Sequence, residues 1–199
     1  MSSNIFLPLS TMFMSTILSL YYTFDTKIDE ADFFPNTLDK TFKNKVILYL
    51  SRFTYSNSLF LLFYFLMKLF NYDCNLYFIT LAPISFSVNI NYFIILYPKK
   101  NIKLYQLSYH SFVQHFMTTF IVLNELPYIH YDSIYDIFYY NYFIIYGVII
   151  TLINYNVRNI WTYTIINLYS FRGWFLFLQF NIICILSSNL LYILNKNLL

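Results

Sequence analysis

Apolar residues recur along this chain in long unbroken runs, not with the period-two alternation of a half-buried strand or the narrow stripe of a surface helix. Six runs approach the roughly 20 residues that a helix needs to cross a bilayer. They extend from about Asn4 to Phe24, Val46 to Met67, Cys74 to Tyr97, Leu104 to Asn124, Ile137 to Val157 and Gly173 to Asn195. The pattern predicts an all-α fold, an integral membrane bundle of about six transmembrane helices forming a single domain over residues 1–199. Pro83 predicts a kink in the third span. The first run has no preceding Lys or Arg and is long for a signal peptide, so it reads as a retained span. Polar stretches punctuate the runs: DTKIDEADFFPNTLDKTFKNK after the first, PKKNIK after the third and ELPYIHYDSIYD after the fourth. Between the fifth and sixth lies RNIWTYTIINLYSFR, whose aromatics and flanking arginines suit an interfacial or re-entrant segment.

Composition excludes the alternatives. Apolar residues make up 59% and charged residues only 11% of the 199, against about a quarter charged in soluble domains. Disorder needs the opposite balance. A net charge of +3, scattered along the chain, leaves no nucleic-acid footprint. Lys and Arg concentrate in the loops after spans one, three and five, which puts those loops in the cytosol and both termini across the membrane from it. Cys74 and Cys184 lie far apart in apolar stretches and read as packing thiols, with neither a disulfide framework nor a metal-ligand spacing. No cofactor or metal is implied, and the bilayer itself is the first partner.

The chemistry rests with the few polar groups at membrane depth, where an ionisable residue is costly. Arg52 stands near the start of its span and reads as a side chain snorkelling to the interface. His110 sits near the headgroups. His115 is deeper, preceded by Gln114 and followed by Thr118 and Thr119; it is either a catalytic base or ligand, or a histidine bonded to a neighbouring helix. A base calls for a nucleophile, and Thr54 in RFTYSN is one hydroxyl within reach. A threonine in a membrane helix ordinarily donates to the carbonyl four residues earlier, here Leu50. Spans two and four run the same way, and a rise of 1.5 Å per residue puts Thr54 about 12 Å and His115 about 16 Å in. Ser51, Ser56, Ser58, Thr118 and Thr119 lie at comparable depths.

Three segments carry a resemblance. RFTYSNSLFLLFYF, SFVQHFMTTFIVLNEL and NVRNIWTYTIINLYSF resemble the motif-bearing segments of the androgen-induced / androgen-dependent family of six-span membrane threonine hydrolases, over the chain from Asn44 onward. Phe112, Asn159 and Thr164 stand where the family has a second histidine, a glycine and a proline. The resemblance implies hydrolysis of fatty acid esters of hydroxy fatty acids in the endoplasmic reticulum or another endomembrane. It puts Thr54 on the nucleophile, His115 on the catalytic histidine, Glu125 on the acid ending that helix, and Trp161 and Tyr163 on the aromatic positions. Asn57, Gln114, Thr118 and Thr119 are then available to orient the imidazole or stabilise an oxyanion, and a lateral pocket between spans two and four would admit the branched ester. The competing reading is a non-catalytic membrane subunit or carrier, organelle-encoded in one version, in which Thr54 and His115 only join helices.

Overall fold

The computed structural model of the protein describes residues 5–24, 41–96, 112–159, 161–162 and 167–198, which are helical with no strand among them. Among these described residues seven α-helices carry the fold: α1 (Phe6–Phe24), α2 (Phe42–Ser51), α3 (Phe53–Leu69), α4 (Asn75–Asn91), α5 (Thr118–Glu125), α6 (Asn141–Arg158) and α7 (Phe171–Leu198). π-helical turns at Tyr92–Leu96 and Val113–Met117 extend α4 and lead into α5. A 3₁₀ turn at Ile134–Phe138 precedes α6, opened by a capping box between Ser133 and Asp136.

The middle of the bundle is α4, which packs against α3, α5, α6 and α7. A helix enclosed on all sides has no polar face to keep, and α4 buries Phe78, Ile79, Leu81, Ala82, Ile84 and Val88 around its circumference. Helix α7 is its opposite, an outer helix with Trp174, Phe175, Leu178, Ile182 and Leu186 exposed. Such outward apolar faces suit lipid, and every backbone polar group in a helix is satisfied within it.

Among the described residues three helices are long and apolar enough to cross a membrane: Asn75–Ile94, Ile134–Arg158 and Phe171–Leu198. The pair α2 and α3 makes a fourth if taken as one bent span. These agree with the expected third, fifth and sixth runs. The second departs from its expectation. It is no continuous helix but two, meeting at 85°. Pro83, the expected kink, lies inside α4, with helix on both sides of it. The start of the fourth expected span, with His110, lies outside the described residues.

Candidate active site

The break between α2 and α3 falls at Arg52, where neither glycine nor proline stands. Arg52 takes an extended backbone, φ −81° and ψ 107°. Its amide turns back to the Tyr49 carbonyl at 3.3 Å, and its guanidinium lies buried, 4.9 Å from the centre of the Tyr55 ring, instead of reaching outward as snorkelling requires. The Leu50 carbonyl, the expected acceptor for Thr54, is taken by the Tyr146 hydroxyl at 2.8 Å. α3 therefore starts inside the protein. The first amides of a helix have no partner within it, and its N-terminus carries partial positive charge.

Thr54 belongs to this first turn. It heads a stripe at helical spacing with Ser58, Leu61 and Phe65, and the last three are fully buried. Among the described residues no hydrogen bond engages the Thr54 hydroxyl, with the backbone or with His115.

His115 is 8% exposed and sits in the π-turn Val113–Met117, which packs on α1, α3 and α4. Single π-turns inside helices are rare and recur at functional sites. The imidazole stacks on the Tyr92 ring, centroids 3.7 Å apart. The pairs Asn89–Thr119 (2.8 Å) and Tyr92–His115 run in reverse order, so α4 and the His115 segment are antiparallel. α3 is antiparallel to α4 across the turn joining them, so α3 and α5 run parallel. They are pinned together where the Tyr64 hydroxyl donates to Glu125 at 2.8 Å. Equal numbers of residues back from that pair stand Thr54 on α3 and His115 on the π-turn.

The supporting residues divide. Asn57 donates to Ser85 on α4 at 3.0 Å. Gln114 donates to Ser19 on α1 at 2.5 Å, and Thr118 donates back to the Gln114 carbonyl at 3.0 Å. Thr119 is held by Asn89. Glu125 is 1% exposed and paired with Lys68, at the far end of α5 from His115. Trp161 is buried and stacks on Tyr155, centroids 4.3 Å apart. Tyr163 lies outside the described residues.

A further set was not singled out in the sequence. Arg158 donates to Asn154 (2.9 Å), Asn154 to Thr162 (3.0 Å), Thr162 to Ser51 (2.6 Å) and Ser51 to the Leu48 carbonyl (2.9 Å). All four side chains are buried, and each donor faces the next acceptor, an arrangement in which hydrogen bonds reinforce one another. The chain of bonds ties the segment after α6 to the residue before the break. Its one visible signal was the helical spacing of Asn154 and Arg158 in an otherwise apolar run.

Among the described residues two cavities open on the bundle. An apolar cavity of about 500 Å³ lies between α3, α4 and α6. A polar one of about 630 Å³ lies around the α3–α4 turn. Comparison of the chain with protein-family models, with curated proteins and with solved structures finds no match.

Proposed function

We propose that the protein is a membrane-embedded lipid ester hydrolase of endomembranes, the endoplasmic reticulum among them, that cleaves fatty acid esters of hydroxy fatty acids with Thr54 as nucleophile and His115 as base. The observation that supports this reading is convergence. Thr162, beside Trp161, bonds Ser51 one residue before the break, and the π-turn bearing His115 packs on α3, so parts of the three resembling segments neighbour one another. Interhelical glue has no need of a helix that starts inside the protein with a threonine in its first turn.

In this reaction His115 takes the Thr54 proton as the hydroxyl oxygen attacks the ester carbonyl. The first turn of α3 lies beside the developing oxyanion, where helix-terminal amides and partial positive charge stabilise it. His115 passes the proton to the leaving hydroxy fatty acid, leaving an acyl-threonine, then takes a proton from the water that attacks it and returns that proton to the Thr54 oxygen as the free fatty acid departs. The open Thr54 hydroxyl fits a resting enzyme, since catalytic hydrogen bonds are often long or misaligned before substrate arrives. Six crossings belong to the same reading: α1, the bent pair, α4 with its π-turn, α5 with the segment before it, α6 and α7.

A fluorophosphonate probe on the purified protein tests the assignment. Covalent labelling that maps to Thr54, and is lost in Thr54→Ala and in His115→Ala, is the expected result. Labelling that persists in Thr54→Ala would return the chain to the subunit reading.

A further inference from the structure

One stripe of α4 and its π-turn touches both helices of the proposed site. Ser85, Asn89 and Tyr92 recur at i, i+4 and i+7, the spacing of a single helix face. Ser85 accepts from Asn57, three residues after Thr54, at 3.0 Å. Asn89 donates to Thr119, four residues after His115, at 2.8 Å. Tyr92 lies against His115 itself, the rings 16° from parallel and their centroids 3.7 Å apart. All three residues stand outside the segments that carry the family resemblance.

Both stacked rings come from π-turns, and the two turns meet again where Phe93 packs on Phe116, centroids 4.8 Å apart. A π-turn fixes where the His115 backbone stands but not the plane of its imidazole, because the last torsion of a histidine is broad and roughly two-fold. That plane is set by a neighbour. Tyr92 is buried and covers the imidazole nearly face to face, so in a close-packed interior the imidazole cannot tilt without displacing it. We infer that Tyr92 is a positioning residue for His115, holding the imidazole in the plane from which a ring nitrogen addresses the Thr54 hydroxyl. The inference rests on the hydrolase reading and adds to it a residue that acts through the base.

Two measurements on the purified protein test it together: steady-state hydrolysis of a branched fatty acid ester, and the ¹H–¹³C NMR signals of histidine-labelled protein, in which the His115 signal is the one lost in His115→Ala. In the parent, the ring current of Tyr92 should hold the His115 ring proton upfield of that of exposed His130. In Tyr92→Leu that signal should move downfield, and kcat should fall on the order of tenfold to a hundredfold with KM little changed. Tyr92→Phe keeps the ring and should restore both. Phe93→Leu trims the neighbouring ring pair, leaves both readouts near the parent and so controls for lost packing alone. A parent without turnover overturns the hydrolase reading and this inference with it. With an active parent, this inference alone is overturned by an unshifted His115 signal, by full kcat in Tyr92→Leu, by a Tyr92→Phe as impaired as Tyr92→Leu, or by an equal loss in Phe93→Leu.

Discussion

A hydroxyl acts as a nucleophile only when a base removes its proton, so Thr54 and His115 are one unit or neither is functional. Thr54→Ala and His115→Ala should each abolish ester hydrolysis, and the double variant should lose little more, because residues that act together are strongly non-additive. Thr54→Ser keeps the hydroxyl and should retain part of the activity, read as turnover of a branched fatty acid ester. Membrane insertion should stay near that of the parent, a lost interhelical hydrogen bond costing only about 0.6 kcal/mol on average. The bonded chain behind the site makes a separate prediction. Thr162→Val and Ser51→Ala each strand a buried partner and should destabilise by about 1–2 kcal/mol, but the pair should cost less than the sum, with a coupling on the order of 0.5–1 kcal/mol in thermal unfolding.

At the scale of elements, the apolar runs were legible because length and hydropathy alone mark a crossing helix, and α4, α6 and α7 fall close to their expected limits. The break in the second run was not. Neither glycine nor proline stands at Arg52: what meets there is a hydroxyl from α6 on the Leu50 carbonyl and a buried guanidinium against Tyr55, contacts that hydropathy does not record. Thr54 and His115 were legible as polar residues at similar depth. The bonds that join Ser51, Asn154 and Thr162 were not, because they form between distant parts of the chain. The glycines were equally silent. A Cβ on Gly147 would come within 2.8 Å of the Phe53 ring, at the residue before Thr54, so the α3–α6 crossing there depends on a missing side chain. Gly147→Ala should cost about 1–3 kcal/mol, typical of overpacking, and disturb Thr54 reactivity. Tyr146→Phe, which removes only the hydroxyl on Leu50, should lower labelling of Thr54 severalfold while the protein still folds. Unchanged labelling would detach the break from the chemistry.

At the scale of the whole molecule, α3 and α5 are joined at the end away from Thr54 and His115, where Glu125 is held by Tyr64 and Lys68. A buried ion pair is seldom a large net stabiliser, but losing one partner is expensive because the other stays desolvated. Glu125→Leu should therefore destabilise the bundle by roughly 2–3 kcal/mol, less than the 3–5 kcal/mol of a fully enclosed pair because Lys68 is partly exposed. Adding Lys68→Met removes the stranded charge and should recover most of that loss in thermal unfolding, apolar replacements of both partners being close to neutral. Stability and catalysis should then separate. If the pair also fixes the register of α3 against α5, the double variant regains its melting temperature but not its kcat, since recovered packing does not restore the directed bonds that aligned the two helices, and a misplacement of about 1 Å costs on the order of a hundredfold in rate. Full return of kcat along with the melting temperature would make Glu125 a stabilising residue alone, and the alignment of Thr54 with His115 would have to come from the packing around α4.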